Sequence, residues 1–353
     1  MATTRVIGLD IGTTCVRAAE LEFGRGGPGG KTVPTLVRLD QVPLPLGAVR
    51  EGEVAQPAQV SGALRQLWQQ GKFDSRDVVI GVGNQRVVVR ELELPWMPLP
   101  QLKESLPFQV QELLPMSADE ALLDYYPTGE IDGPQGRMVQ GMLVAAQRDT
   151  VNANVLAVEG AGLRPRMVDL NAFALVRALA RADLADRVVA FVDIGASITT
   201  VVISDRGVPR LARSLASGGH NVTQAIASTM GIAGAEAEGL KRQIGVGYTV
   251  APELAAAAEV VNSMAQTLIE AIRNTFVYFG ANHSSGIEAV VVTGGGAHLP
   301  GLGQYLSSAS RLPVSLGDPF AGLKVAKSFP RDQLNGAESL VALAVGLAYG
   351  AAA

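Results

Sequence analysis

The sequence is poor in cysteine and histidine, the residues that build disulfide frameworks and most zinc sites. Its 353 residues include one cysteine, Cys15, and three histidines. A single cysteine excludes a disulfide framework and a zinc site made of cysteines, and it is typical of a protein in the reducing cytosol. Stability must therefore come from packed cores, for which 48% of hydrophobic residues are available.

Strong charge and long apolar runs are also missing. The 33 acidic and 29 basic residues leave a net charge of -4, and no run of Lys or Arg occurs. We therefore expect no nucleic acid as a partner and no direct membrane insertion. The start, MATTRVIGLD, lacks the apolar stretch of a secretory signal, which predicts a cytoplasmic protein. The apolar tail 337–353 is shorter than the ~20 residues that cross a bilayer, and it predicts a buried helix.

One turn motif occurs twice. The segments VIGLDIGTTCVRAAEL (6–21) and AFVDIGASITTVVISD (190–205) both contain a strand, the residues Asp-Ile-Gly, small residues and a second strand. Each copy opens a run of three predicted strands. The repetition predicts a duplicated α/β fold in which two halves face each other across a cleft.

The chemistry of this turn suits a polyphosphate. Gly12 and Gly195 let backbone N–H groups approach a ligand closely, and successive N–H groups form a nest for an anion. The acids that precede them, Asp10 and Asp193, would repel a bare phosphate, but they suit a hydrated Mg²⁺ between carboxylates and phosphates. The predicted phosphate-binding residues are Gly12, Thr13, Thr14, Gly195, Ala196 and Ser197.

Two further glycine motifs follow in the second half. Gly218 and Gly219 end a strand and open a helix, whose N–H groups favour anions. Gly294, Gly295 and Gly296 follow an apolar strand, where a nucleoside could lie flat against the backbone. Each motif alone is more often structural than functional, but the four elements in this order are far more specific.

This order resembles the actin, sugar kinase and Hsp70 superfamily. The resemblance implies an actin-like (ribonuclease H-like) fold that binds ATP or ADP with Mg²⁺. The segment AEAEGLK resembles the helix that holds ribose and adenine in that superfamily, which would assign Glu238 and Lys241 to the nucleoside. The alternative is that both residues lie on a solvated helix face.

An insert in the first half narrows the resemblance to the FtsA and PilM branch. ELPWMPLPQLKESLPFQVQELLPMSADEALLDYY (93–126) and GLRPRMVDLNAFALVRAL (162–179) are similar to the PilM family pattern. The resemblance implies an ATP-binding scaffold at the inner-membrane complex of type IV pili, or of related type II secretion systems. It would bind the cytoplasmic N-terminal peptide of PilN near the insert and so sit peripherally at the membrane.

The predicted domain organisation follows from the insert and the repeat. The first actin-like half comprises residues 1–76 and 147–187, and the insert comprises residues 77–146. The second half comprises residues 188–235 and 286–353, with a helical subdomain at residues 236–285. The long apolar pattern at 252–282 predicts one helix, which either packs on its own domain or lines a contact in self-association.

Within the insert, apolar residues recur at helical spacing. They predict a helix, begun by Pro98 and Pro100, that packs Leu102, Leu106, Val110 and Leu113 on the insert's own sheet. Pro107 should kink or break this helix. A partner peptide would need a further exposed apolar strip between insert and first half, and Phe108 is one candidate contact.

The sequence shows little hydrolytic machinery. Asp169 or Asn171, in the segment RPRMVDLNAF, would have to position the attacking water, and we interpret Asp169 instead as the cap of the following helix. We therefore expect at most a slow ATPase in which the nucleotide is mainly a structural ligand. A filament-forming ATPase like FtsA and a phosphotransferase like the sugar kinases remain as alternatives.

Overall fold

The computed structural model describes residues 4–30, 32–134, 136–330, 334 and 336–350. The strands, in chain order, are β1 (Thr4–Ile11), β2 (Cys15–Phe23), β3 (Thr35–Pro43), β4 (Val49–Arg50), β5 (Glu53–Val54), β6 (Asp77–Val82), β7 (Val87–Pro95), β8 (Ala121–Gly133), β9 (Gly136–Gln147), β10 (Arg164–Leu170), β11 (Val188–Ile194), β12 (Thr199–Asp205), β13 (Val208–Leu215), β14 (Ala289–Thr293), β15 (Val314–Leu316) and β16 (Lys324–Val325).

The helices alternate with these strands. In chain order they are α1 (Pro57–Gly71), α2 (Leu99–Gln109), α3 (Arg148–Gly160), α4 (Asn171–Leu179), α5 (Gly219–Met230), α6 (Gly234–Ile244), α7 (Ala255–Asn282), α8 (Leu302–Ser310) and α9 (Ala342–Ala348). In the described ranges, no helix combines the length and the apolar character that a membrane crossing requires. Helix α7 buries one face in the core of the second half, as its pattern predicts.

The two main sheets repeat one topology, which confirms the duplicated fold. The first has the strand order β10-β6-β1-β2-β3-β16 and the second has the order β13-β12-β11-β14-β15. In each, an antiparallel three-stranded meander precedes strands that run parallel to its first member. Residues 6–9 of β1 and 188–192 of β11 are apolar and buried, as is typical of central strands that are covered on both faces.

The end of the chain returns to the first half. Strand β16 pairs with β3 of the first sheet. Helix α9 packs against β1 and α4, and its side chains belong to the same core as theirs. The sequence assigned residues 286–353 to the second half, so these contacts differ from that expectation for the last segment. The other predicted boundaries stay a proposal.

The predicted tail helix is shorter in the structure than the apolar run. Residues Glu338–Leu340 form a 3-10 turn, and regular α-helix covers only Ala342–Ala348. Residues 351–353 of the run lie outside the described residues. The small side chains of this helix let it pack closely, since a Cβ at Gly346 would overlap the carbonyl oxygen of Ala174.

The insert is a three-stranded antiparallel sheet, β7-β9-β8, with α2 on one face. Leu102, Leu106 and Val110 pack on that sheet as predicted. Leu113 does not, because α2 ends at Gln109 and Leu113 falls in a following 3-10 turn, where it is 40% exposed. The early end follows Pro107, which has no N–H to continue the helix.

The other face of the insert sheet meets the first half. Met142 and Ala146 join the core around α4, and the rings of Tyr126 and Phe173 lie 5.2 Å apart. The insert also touches the second half, because Arg210 Nη1 donates to Thr128 Oγ1 at 3.2 Å. The insert therefore contacts both halves.

A glycine-to-alanine pair tests the packing of α9 on the first half. A Cβ at Gly8 on β1 would overlap the carbonyl oxygen of Ala344, so α9 must shift. We expect Gly8→Ala to lower the free energy of unfolding by roughly 1–3 kcal/mol, the usual cost of overpacking. In the control Gly62→Ala on α1, the new Cβ meets no atom within 4 Å. Because alanine favours a helix more than glycine does, this control should raise the free energy of unfolding by up to about 1 kcal/mol. Equal urea-unfolding curves for the two variants would contradict this packing.

Candidate nucleotide-binding cleft

The two Asp-Ile-Gly motifs form matching corners at the ends of β1 and β11. Ile11 pairs with Val16 in the first hairpin, and Ile194 pairs with Thr199 in the second. Each corner is closed by a backbone bond, from Gly12 N–H to Cys15 O at 3.0 Å and from Gly195 N–H to Ile198 O at 2.9 Å. The same short sequence therefore gives the same turn in both halves.

The corners line one cleft between the halves. Its volume is about 920 Å³, in the range of sites for small molecules and cofactors. It contains most of the residues that the sequence predicts. They are Asp10, Gly12, Thr13, Thr14, Asp193, Gly195, Ala196, Gly218, Gly219, Glu238, Lys241, Gly294, Gly295 and Gly296. Ser197 is not among the lining residues.

Both aspartates have raised pKa values. Asp10 is buried, which raises the pKa of its carboxyl, and Arg17 opposes this with Nη1 3.5 Å from Oδ2. Desolvation also raises the pKa of Asp193, to about 6, and the nearby charge of Asp10 adds to the rise. The Thr293 hydroxyl, which donates to Asp193 Oδ1 at 3.0 Å, partly compensates. The cleft floor thus holds more negative charge than its own residues neutralise.

This donor set fits a magnesium ion that is shared with a phosphate chain. In the part of the chain that the structure describes, no group of three or more His, Cys, Asp or Glu side chains could hold a metal ion alone. Mg²⁺ usually binds one or two carboxylates and completes its shell with phosphates and water. Asp10 and Asp193 match that requirement, and a cation between them would offset the cost of burying their negative charges.

Backbone contacts lock the glycine motifs onto the second corner. Gly219 N–H donates to Gly195 O at 2.9 Å, and His220 N–H donates to Ala196 O at 2.7 Å. These first amides of α5 are therefore engaged by the corner. Gly294 has φ 81°, and a Cβ there would lie 2.5 Å from Ile194 O, so that only glycine fits without strain.

Glu238, partly exposed, and Lys241, buried, form a polar network in the cleft wall. Lys241 Nζ donates to Glu238 Oε2 at 2.6 Å, to Thr223 Oγ1 at 3.0 Å and to Gly219 O at 3.0 Å. Burial would raise the pKa of Glu238, but the bonds from Lys241 and Thr223 outweigh it and lower that pKa. A solvated helix face is therefore wrong for Lys241, which is 9% exposed. Its three N–H donors are satisfied, and they fasten α6 to the start of α5.

Comparison with known proteins identifies the family. The family description "Type IV pilus assembly protein PilM" matches residues 8–351. The chain belongs to the PilM family. Among solved structures, the chain from a "PilM-PilN type IV pilus biogenesis complex" is 28% identical with a TM-score of 0.85. That match covers 99% of this chain and 98% of the other.

More distant structures share the fold of the PilM family. The ethanolamine utilization protein EutJ from Carboxydothermus hydrogenoformans is 15% identical with a TM-score of 0.57, covering 99% of this chain and 90% of the other. MreB5 of Spiroplasma citri bound to AMPPNP is 13% identical with a TM-score of 0.54, covering 98% and 95%. At these identities the likeness concerns the fold alone, and it confirms the predicted actin-like architecture.

In this PilM-family chain, Asp169 does not play the predicted part. Its carboxylate pairs with Arg177 and accepts a bond from Leu170 N–H, while α4 begins without a side-chain cap. The interpretation of Asp169 as a helix cap is wrong, because Arg177, eight residues further along the chain, competes for the carboxylate. Of the two candidates for positioning water, Asn171 lines the cleft and Asp169 does not.

Sequence reasoning missed several polar residues that line the cleft, of which Arg17 and Asn154 belong to the first half. Arg17 lies opposite Asp10 in the register of β1 and β2. Counting residue pairs outward from the turn of the first hairpin would have placed Arg17 beside Asp10. Asn154 lies on α3, directly after the insert, and no local motif marks it.

The raised pKa of Asp193 predicts a pH dependence of stability. A carboxyl whose folded pKa is about 6, against 3.8 ordinarily, binds its proton more tightly when folded. Stability of the nucleotide-free protein should therefore fall as pH rises from about 4 through 6. The variant Asp193→Asn should lose most of this dependence of stability on pH. At pH 7.5 its free energy of unfolding should be higher than that of the wild type, by on the order of 2 kcal/mol.

Urea unfolding from about pH 3 to about pH 7.5 measures this effect, because the range extends at least one unit beyond both ends of the transition. The control is Asp186→Asn, which removes an exposed carboxyl of the same kind. This control should follow the wild-type profile. Parallel profiles for wild type and Asp193→Asn would contradict the assigned burial of charge in the cleft.

Proposed function

We propose that this chain is an ATP-binding, actin-like scaffold of type IV pilus assembly that binds PilN through the partner's cytoplasmic N-terminal peptide. The observation that carries the proposal is the match to the chain of a PilM–PilN complex over 99% of this chain, at a TM-score of 0.85. Binding to PilN would hold the protein peripherally at the inner face of the cytoplasmic membrane. The family match over residues 8–351 supports the same role.

The nucleotide is the second part of the proposal. Asp10 and Asp193 would hold Mg²⁺, the two corners would hold the phosphates, and the glycines at 294–296 would lie against the nucleoside. The ion would supply positive charge between the carboxylates and the phosphates. A relative of the same fold, MreB5, was solved with AMPPNP, which supports a nucleotide in this cleft.

The cleft chemistry supports slow hydrolysis at most. Asp169 is held by Arg177, and Asn171 carries an amide, which can orient a water but is a poor proton acceptor. The nucleotide then acts mainly as a structural ligand, which stabilises the folded chain by mass action.

An exposed apolar strip at the edge of the insert supports the proposed peptide site. Strand β8 is an edge strand, whose one hydrogen-bonded neighbour among the described residues is β9. Leu122 and Tyr126 share a face of β8 and are 36% and 44% exposed. Tyr126 contacts Phe173 of the first half. An extended peptide could add to this free edge and place apolar side chains against both residues.

Substitution of one aromatic residue on each surface tests whether the peptide binds at the β8 edge or on the helix α2. Tyr126→Ala should weaken binding of a synthetic peptide with the PilN N-terminal sequence about tenfold, since truncating an aromatic anchor costs roughly 1–2 kcal/mol. Phe108→Ala, which removes an aromatic side chain that is 85% exposed on α2, should leave the affinity unchanged.

Fluorescence anisotropy with a labelled peptide measures both affinities, after thermal unfolding has shown that both variants fold. If Phe108→Ala weakens binding and Tyr126→Ala does not, the peptide lies on α2 instead. No binding to the wild-type chain would contradict the proposed partner.

A further inference from the structure

A small hairpin of the first half reaches across the cleft to the second corner. We call β4, β5 and their turn, residues Val49–Val54, the cleft hairpin. Its two turn residues, Glu51 and Gly52, both have positive φ, at 50° and 76°, as in a tight two-residue turn. Gly52 lines the cleft, and a Cβ there would lie 3.2 Å from Ile198 Cγ1 in the second corner.

The base of the cleft hairpin is tied to the insert by one carboxylate. Glu53 Oε1 accepts from Thr150 Oγ1 at 2.8 Å and from Asn84 Nδ2 at 3.3 Å, and it lies 3.0 Å from Arg86 Nε. Asn84 and Arg86 precede the first strand of the insert, and Thr150 follows its last strand. Glu53 therefore contacts both places where the chain enters and leaves the insert.

The root of the insert is itself closed by a cross-link. Arg86 Nη1 donates to Gln147 Oε1 at 3.1 Å, and Gln147 N–H donates to Arg86 O at 3.1 Å. Asn84 and Thr150 are buried, so their bonds to Glu53 form in a region of low water content, where such bonds are stronger than in water. These side chains thus form a short polar network that joins the cleft hairpin to both strands at the insert root.

We infer that Glu53 couples the occupancy of the nucleotide cleft to the orientation of the insert. Movement of the second corner against the first half must move the tip of the cleft hairpin or open its contact with Ile198. Because Glu53 holds the hairpin to the insert root, the insert must follow or lose these bonds. Glu53 is a positioning residue here, and it lies outside the proposed phosphate, metal and peptide sites. The inference rests on the proposed function, since it requires a nucleotide in the cleft.

The contacts of the insert with the second half add to the same constraint. His283 Nε2, at the end of α7, lies 3.0 Å from Glu91 Oε2 on β7. A rotation between the halves therefore acts on the insert at this contact and at its root. Coupling between two sites needs a structural element that can adopt two orientations, with each site favouring one of them. The insert is placed to be that element, because it contacts both halves.

Hydrogen exchange with and without Mg·AMPPNP tests the inference on the full chain, without the partner. In the wild type, the nucleotide should change the exchange rates of amides in β7, β8 and β9 about fivefold or more, within the usual range of coupling between sites. In Glu53→Gln, the nucleotide should bind within about twofold of wild type, but the rates in the insert should no longer respond.

The matched control is Glu51→Gln, which removes the same charge from the exposed tip of the cleft hairpin and should keep the wild-type response. Arg86→Gln provides a second test if Glu53→Gln unfolds, because it removes the ion pair of Glu53 and the bond to Gln147 on the exposed side of the link. Since the bonds of Glu53 to Asn84 and Thr150 remain, this variant should diminish the response.

The possible outcomes separate the inference from the proposed function. Nucleotide binding with no change in the insert of wild type, or an undiminished change in Glu53→Gln or Arg86→Gln, would overturn the coupling alone. Failure of wild type to bind Mg·AMPPNP would overturn the proposed nucleotide function, and the coupling with it.

Discussion

The close placement of two carboxylates across the cleft is the constraint on which the site depends. Asp10 and Asp193 end the central strands of opposite sheets, and the burial of β1 and β11 fixes where each carboxylate lies. Desolvation and mutual repulsion raise the pKa of Asp193 to about 6. Arg17 and Thr293 offset this only in part. Such a pair is costly in an empty cleft and favourable around a cation with a phosphate chain, which is why the geometry favours a nucleotide over a neutral ligand.

The fold keeps the two halves together while leaving this cleft between them. The chain crosses from the first half to the second before β11, and it returns before β16 and α9. The insert adds contacts to both halves, through Phe173 on one side and Arg210 on the other. A ligand at the corners and a partner at the insert therefore act on connected parts of one body. With the proposed nucleotide and partner sites, this arrangement would be a physical basis for partner binding that responds to nucleotide.

Features encoded in local sequence could be predicted, and features made by distant contacts could not. The repeated Asp-Ile-Gly turn specifies a hairpin by itself, so the duplicated sheets and most cleft residues follow from the sequence. The return of α9 to β1 depends on Gly8 and on small residues far along the chain, and nothing near either segment signals it. The pairing of Asp169 with Arg177 was also not evident from the local sequence, which led us to expect a helix cap at Asp169. The link from Glu53 to Thr150 joins residues that only the folded insert root brings together.

Isothermal titration calorimetry of the wild-type chain with ADP or ATP tests the central claim most directly. The account predicts heat of binding when magnesium is present and an affinity weaker by about tenfold or more when the metal is chelated, which corresponds to roughly 1.4 kcal/mol. Absence of heat with magnesium, or an affinity that does not depend on the metal, would contradict the claim that Asp10 and Asp193 enclose a metal–phosphate group.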